Sequence, residues 1–599
     1  MEKFWEKNDQ LQDYRPFPDI DDRNAYNELP QELRSSLITQ GEEYLGYDYP
    51  AIRSTDFMNF RRTGNRVDFE NLYFARRYAL NSLIVAECME DKGRFLDDII
   101  NGIFAICEES AWQLPPHNSY VRNAPQEILP DATRPVLDLF ACETGALLAC
   151  AQYLLGSRLN TVSPFINARI DYELERRILI PYIHEHFWWM GKDEEPMCNW
   201  TPWCTQNVLL TVFLRGILPG AEKAVTLKAA ESLDYFLKDY GDDGCCDEGA
   251  QYFRHAGLCL DCAAEILNQI TGGAFEDLYH WDKVKNIASY ISNVHVAGKY
   301  YINFADCSPV AGRAGVREFL FGKRTHQPEL MLFAAGDFKA AKENIFADES
   351  NLLNLFYRMQ TVFHYQKIMD YDTSRTLTHK DIYYPSIGLF LSRNDTFCLA
   401  VKAGDNDDNH NHNDTGSFTL YKNGQPLFID IGVESYTEKT FSSRRYEIWT
   451  MQSCYHNLPT IEGLDQHNGP EYCAGDIKTA FSETESRISM ELSGAYPFKT
   501  CKKYYTREVF FDKLNNRVLL TDTTDAENVI LNFITYETPE VTENSIMIGT
   551  LAQADFSGAK PMSVEVLPIT DARLKTAWDH ELYRIRLVMT AGEFQLQIE

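Results

Sequence analysis

The hydrophobic period changes once along this chain, and that change limits what the chain can fold into. From Glu70 to Gln366 apolar residues return at helical spacing; Leu137, Phe140, Ala141, Leu147, Leu148 and Ala151 line one face of a segment that Gly156 can end. Comparable helical segments are expected over 72–91, 93–110, 171–188, 205–217, 222–239, 248–270, 280–297 and 349–366, on short polar or Gly/Pro-bearing connectors with no strand between them. Successive helices on short connectors pack antiparallel, and a long series of such hairpins either stacks as a solenoid or curls into a ring. No tetratricopeptide or ankyrin repeat occurs, so the expectation is a ring, an (α/α) toroid.

After Thr373 the period becomes two. IGLFLS, FCLAVKAG, SFTLYKNGQPLFIDIG, REVFFDKLNNRVLLTD and YRIRLVM read as strands, with Asn423-Gly424 and Asn515-Asn516 where tight hairpin turns belong. Hairpins without helices give an antiparallel sandwich. The expected architecture is therefore an α+β multidomain chain: residues 1–372 form the toroid of helical hairpins and residues 373–599 the antiparallel β-sandwich. Two rigid blocks of this kind leave a cleft in which a long polymer can lie.

Composition narrows the partners. A chain that is 44% apolar and 13% aromatic can bury its cores. A formal charge of −30 repels a phosphate backbone, so nucleic acid is not an expected partner. No run of about 18 consecutive apolar residues occurs, so no membrane span is expected. The opening MEKFWEKNDQLQDYRPFPDID has no apolar signal core, and the 15 cysteines are odd in number and scattered through apolar stretches. The adjacent Cys245 and Cys246 are poorly placed to bridge each other, and the Cys259/Cys262 pair reads as core packing. Reduced thiols and a cytoplasmic location are expected for the sequence as it stands, and secretion or a periplasmic location if a signal has been removed. A homo-oligomer is compatible with all of this.

Chemistry concentrates in Asp405-Asn406-Asp407-Asp408-Asn409-His410-Asn411-His412-Asn413-Asp414, just before the strand Ser417–Tyr421. Two histidines two apart on an extended chain project to one side. The returning strand places Asp430 in the apolar Phe428-Ile429-Asp430, where a lone carboxylate is costly unless paired or metal-bound. His456 follows in Ser453-Cys454-Tyr455-His456-Asn457. Two His and one Asp with an open position suit zinc, and manganese can also occupy such a site; the alternative is a solvated Asn/Asp/His turn beside a capped histidine.

The ordered string His410-Asn411-His412-Asn413-Asp414-Thr415-Gly416-Ser417-Phe418, Gly424-Gln425-Pro426-Leu427, Ile429-Asp430-Ile431-Gly432 and Tyr455-His456-Asn457 resembles the heparinase II/III family of polysaccharide lyases. The resemblance implies a helical toroid followed by a β-sandwich. It implies that His410 works on the substrate and that His412, Asp430 and His456 hold one divalent metal. In the helical half, Cys198-Asn199-Trp200-Thr201-Pro202-Trp203 resembles the loop whose Asn contacts a uronate carboxylate, and Asp247-Glu248-Gly249-Ala250-Gln251-Tyr252 the segment bearing the catalytic tyrosine. Several members follow the Asn with a second His, whereas this chain has Trp200, which leaves Tyr252 and His410 as the proton-transfer candidates.

The implied reaction is β-elimination in a uronate-containing glycosaminoglycan of hyaluronan, chondroitin or heparan sulfate type, with alginate or another uronate oligosaccharide as the alternative substrate. The C5 proton becomes acidic once the neighbouring carboxylate is neutralised, a task for Asn199 and His410. His117, Trp200, Trp203, Arg313, Tyr436 and Tyr446 are candidate sugar contacts, each with a packing role as the alternative. Two other classes remain open: a toroidal glycoside hydrolase, which needs carboxylates flanking the bond, and a non-catalytic carbohydrate-binding protein with a structural metal.

Overall fold

The computed structural model describes residues 10–122, 124–215, 220–341, 346, 349–498 and 503–599. They form two compact units that do not follow chain order. The helical unit comprises Met1–Tyr240, Arg254–Ala288 and Arg313–Thr376; the β unit comprises Gly241–Phe253, Ser289–Gly312 and Leu377–Glu599. Gly241–Phe253, which carries Tyr252, and Ser289–Gly312 thus group with the β unit although they lie within residues 1–372.

In the helical unit Val67–Glu90, Leu96–Cys107, Leu139–Val162, Trp200–Phe213, Glu222–Asp239 and Leu355–Met369 realise the expected periodicity. Five further helices, Arg23–Glu28, Gln31–Glu42, Ser54–Thr63, Val316–Arg324 and Pro328–Ala341, lie outside the segments the period picked out. Leu139–Val162 starts where the Asp138 carboxylate accepts the Ala141 N–H at 2.7 Å, an N-cap. It runs through Gly156 and stops at Ser163, because Pro164 forces the preceding residue into extended backbone (φ −163°, ψ 131°). This helix is long and apolar enough to cross a bilayer, against the sequence expectation, but most of its apolar window is buried inside the unit. Leu147, Leu148, Leu154, Leu155 and Leu159 are buried there, each contributing about 1.5–3 kcal/mol.

The helix expected over 171–188 is instead Pro164–Leu174, a π-turn Glu175–Leu179 and Ile180–His184. Pro181 explains the widening: it lacks an N–H and its ring crowds the carbonyl four residues back. The helix expected over 248–270 splits into Ala250–Phe253 and Gly257–Ile270. That expected over 280–297 ends at Val294, and His295–Ala297 turns back on Tyr300–Tyr301 through Gly298 at φ 55°. The hairpin was unforeseen, and it delivers the chain to Asn303–Asp306.

The β unit contains an eight-stranded and a nine-stranded sheet whose pairings are all antiparallel. The first includes Glu485–Glu491, Tyr505–Asp512, Arg517–Thr524 and Glu593–Ile598; the second includes Leu582–Met589, Val529–Thr535, Gln425–Phe428, Phe418–Lys422 and Phe397–Lys402. Burial alternates along Tyr505–Asp512, so Tyr505, Arg507, Val509 and Phe511 face a core shared with Phe418, Phe428, Phe533 and Phe594. Asn423 and Gly424 both take positive φ (51° and 76°), the two-residue turn expected there. At Asn515-Asn516 only Asn516 does (φ 50°), and the connection is a longer loop in which Asp512 accepts the Asn515 backbone and side-chain N–H groups at 3.1 and 2.8 Å.

Candidate active site

The site lies within the β unit and is assembled from segments far apart in sequence. Gly249 takes φ 85°, and a Cβ there would lie 2.6 Å from Cys307 Cβ, so glycine is what lets the 247–252 turn approach the 304–308 loop. The single turn Ala250–Phe253 then carries Tyr252, and Glu248 precedes it, buried.

His410 is not on an extended strand. It sits in a turn at φ 57°, a left-handed conformation uncommon for a non-glycine residue, and its ring enters the site from there. Its Nδ1 lies 2.9 Å from Asp306 Oδ2 and its Nε2 3.2 Å from Glu248 Oε2. Its ring stacks on Tyr252 with centroids 5.2 Å apart and planes 19° apart. Burial resists a charge on this ring, but the Tyr252 oxygen, Asp306 and Glu248 outweigh it and hold the imidazole pKa well above its ordinary value. Both ring nitrogens thus face acceptors, as an imidazolium requires.

Tyr252 Oη is hydrogen-bonded to Tyr436 Oη. Burial first, then the Tyr252 and Asp306 oxygens, hold the Tyr436 hydroxyl well above the usual phenol range. The contact joins two hydroxyls, either of which can donate. The Arg573 guanidinium lies 4.6 Å from the Tyr436 ring centroid and donates to Gln251 Oε1 at 3.2 Å and the Asp306 carbonyl at 3.0 Å. Tyr252 thus has the Tyr436 hydroxyl at its oxygen and the His410 ring against its face.

Asp306 is fully buried and receives His410 at one oxygen; at the other it receives His412 Nε2 at 3.0 Å and Arg445 Nη2 at 2.7 Å. Burial works against its charge, but the bonds from His410 and His412 and the charge of Arg445 prevail and hold the carboxyl well below its usual range. Arg445 also donates to the Asn411 carbonyl at 3.1 and 3.0 Å, and Asn411 Nδ2 donates to Tyr446 Oη at 3.1 Å. Tyr436 and Tyr446 are thereby both joined to the site.

A second cluster lies beside the first. Asp414, Asp430 and His456 are buried with ligand atoms within 4.8 Å of one another. His456 Nε2 donates to the Thr450 carbonyl at 3.1 Å, so in the neutral ring Nδ1 carries the lone pair. That Nδ1 lies 2.9 Å from Asp430 Oδ2, close enough for a hydrogen bond but out of alignment for one. The other Asp430 oxygen is taken by the Gly432 N–H at 2.9 Å and Asn303 Nδ2 at 3.1 Å. His412, whose Nε2 donates to the ionised Asp306, leaves a buried Nδ1 with no hydrogen-bond partner, and its ring lies 5.6 Å from that of His456. Imidazole lone pairs facing buried carboxylates fit a divalent cation. The geometric cluster adds Asp414 to the expected set and does not include His412.

The candidates in the helical unit form a group of their own. His117 Nδ1 lies 2.8 Å from Asp138 Oδ2, and its ring meets Trp200 edge-on at 4.7 Å. Trp200 also packs on Trp188 at 5.0 Å. Asn199 is buried at the start of helix Trp200–Phe213. One expectation is corrected. Trp203 is buried, with one face covered by His255 at 3.8 Å and its edge by Phe140, so it packs the helix start instead of offering a ring to a sugar. Arg313 pairs with Asp337 at 2.5 Å and stays partly exposed.

Sequence reasoning missed Asp306, Glu248, Asp414, Arg445 and Arg573 as site residues. Asp306 carried the same signal that exposed Asp430, a carboxylate closing the apolar run Tyr300-Tyr301-Ile302-Asn303-Phe304-Ala305. Asp414 closes the His-Asn-His-Asn-Asp string itself.

Comparison with known proteins bears on the fold. Residues 376–529 match the family model described as heparinase II/III-like, C-terminal. No curated protein matches the chain. Among solved structures, heparinase III superposes with a TM-score of 0.64 at 14% identity, covering 100% of this chain and 88% of that one. A heparan sulfate lyase from Pedobacter heparinus gives 0.56 at 12% identity, with coverage of 100% and 86%. A chondroitin AC lyase from Streptomyces coelicolor A3, solved with chondroitin sulphate, gives 0.52 at 9% identity, with coverage of 100% and 81%. Residues 376–529 thus resemble a heparinase II/III-like C-terminal domain, and the described residues have the helical-toroid and β-sandwich fold of these solved structures.

Proposed function

We propose that this protein is a polysaccharide lyase that cleaves uronate-containing glycosaminoglycans of the heparan sulfate, chondroitin or hyaluronan type by β-elimination, leaving an unsaturated sugar. The observation that carries the reading is Tyr252, stacked on a doubly carboxylate-bound His410 and hydrogen-bonded at its hydroxyl by Tyr436. The similar structures named as heparan sulfate and chondroitin lyases support the substrate class.

In this reading His410, charged, neutralises the uronate carboxylate, so that negative charge developing on C5 and its carboxyl group meets a fixed donor. Tyr252 Oη, as phenolate, removes the C5 proton. The electron pair moves into the C4–C5 bond, the C4–O4 bond breaks, and the same hydroxyl returns a proton to O4. Both transfers fall on one face, the syn course that suits glucuronate units. Tyr436 steadies the phenolate in between. His117, Trp200 and Tyr446 are assigned to sugar binding. One divalent ion, zinc in our reading with manganese as the alternative, would be held by His412, Asp430 and His456 with Asp414 beside them, and would supply positive charge that braces the His410 loop.

A hydrolase reading is disfavoured by the same geometry. Glu248 and Asp306, the carboxylates nearest Tyr252's partner, are both bound to His410 instead of flanking an open space for a glycosidic bond. The test is incubation with defined uronate polymers, hyaluronan, chondroitin, heparan sulfate and alginate, followed by ultraviolet absorbance of the conjugated double bond. Absorbance growing with one of the glycosaminoglycans supports the proposal; reducing ends appearing without absorbance would replace it with hydrolysis.

A further inference from the structure

We infer that Asp306 is a positioning residue that ties the metal-side His412 to the substrate-side His410, so that one buried carboxylate sets the orientation of both histidines in the His-Asn-His string. For the role of His410 this rests on the lyase reading, and for the role of His412 on the metal reading proposed with it.

The two oxygens are divided between the two rings. Oδ2 faces His410 Nδ1 at 2.9 Å and Oδ1 faces His412 Nε2 at 3.0 Å. Asp306 lies about a hundred residues before the pair, on a loop the 295–301 hairpin delivers. The loop is held from outside as well: Arg573 grips the Asp306 carbonyl at 3.0 Å, Arg445 shares Oδ1 at 2.7 Å, and Ala305 sits at φ 52°. Such a carboxylate cannot swing to serve one ring without leaving the other.

The chemical consequences differ for the two rings. For His412, a bond at Nε2 leaves Nδ1 as the only ligand atom, and Nδ1 is the buried atom without a partner. For His410, the bond at Nδ1 joins Glu248 at Nε2 and the stack on Tyr252 in fixing a ring whose backbone is in the left-handed region. An asparagine at 306 has the same shape but one acceptor oxygen, and its amide N–H groups would meet ring N–H groups. It can serve one histidine, not both.

The experiment uses the full chain and zinc(II) as the probe. Asp306→Asn is compared with wild type for zinc affinity by chelator competition, and for kcat and KM on the glycosaminoglycan the wild type cleaves best. Loss of an outer partner of a metal-ligating histidine typically costs about 10- to 100-fold in metal affinity, and that loss is expected here. The kcat should fall and remain low under saturating zinc, because His410 has lost its anchor as well, while KM changes little. Unchanged zinc affinity, full recovery of kcat with zinc, or a lowered Tm with both preserved would each overturn the inference. A zinc-loaded crystal structure of the wild type provides a measurement independent of the variant's folding: ligation through His412 Nδ1 with Nε2 on Asp306 supports the assignment, and ligation through Nε2 overturns it. If the wild type eliminates no uronate polymer, the lyase reading falls, and zinc affinity together with the ligand atom still decides the role of Asp306.

Discussion

The two units hold their candidate residues in different ways. In the β unit, Tyr252, Asp306, His410 and Asp430 come from separate segments and meet through charged hydrogen bonds, most of them buried. In the helical unit, His117, Trp200 and Trp203 meet mainly through aromatic faces at the ends of helices. A buried charged network tolerates little change, because removing one partner strands the others, whereas an aromatic group loses area in proportion to what is removed. Function in the β unit should therefore fail steeply, whereas changes that only trim the aromatic packing of the helical unit should register mainly as stability.

The largest expected effect is at His410. His410→Ala removes charge stabilisation at the carboxylate, and a loss of about 10²- to 10³-fold in kcat is expected by analogy with oxyanion-hole donors. Steady-state turnover on the best substrate checks it; a loss below tenfold would mean that the carboxylate is neutralised elsewhere. Next is the support beneath the metal-side cluster. Arg507 pairs with Asp522 through two bonds of 2.8 Å and donates to the Asn457 carbonyl at 2.6 Å, while Asn457 Nδ2 bonds the carbonyls of Phe418 and Ile429 at 2.6 and 3.1 Å. Arg507→Ala leaves Asp522 buried without its partner and should cost about 3–5 kcal/mol in urea unfolding.

The smallest effect is expected in the helical unit. The Asp138 carboxylate caps helix Leu139–Val162, accepts the Leu114 N–H at 3.1 Å and holds His117. Asp138→Ala should cost about 1–2 kcal/mol of stability, as loss of a helix cap does. It should lower kcat less than His410→Ala; an equal loss would erase the contrast between the units.

How much of this was legible follows from the same contrast. The strands were legible because one buried face imposes strict alternation, as along Tyr505–Asp512. Helices were legible as bodies but not at their ends, where Pro164 and Pro181 decide the backbone and a period does not register them. Metal-type residues were legible where they cluster on one loop, as His410 and His412 do, although the chain there is turned and not extended and Asp414 beside them went unassigned. Asp306 is a single acid in an apolar run, and only the fold shows that it meets both histidines. Tyr252 is one of 33 tyrosines, and it was marked by family resemblance and not by its own pattern.

The central claim is that Tyr252 carries the proton, and the most direct measurement is the turnover of Tyr252→Phe on a glucuronate polymer, with metal content and Tm recorded on the same sample. The substitution keeps the ring stacked on His410 and deletes only the hydroxyl that Tyr436 meets. Metal content and Tm should match the wild type while kcat falls by at least about 10²-fold, the loss typical of an acid–base group. Near-normal formation of the unsaturated product by a folded, metal-replete Tyr252→Phe would contradict the account and place the base elsewhere.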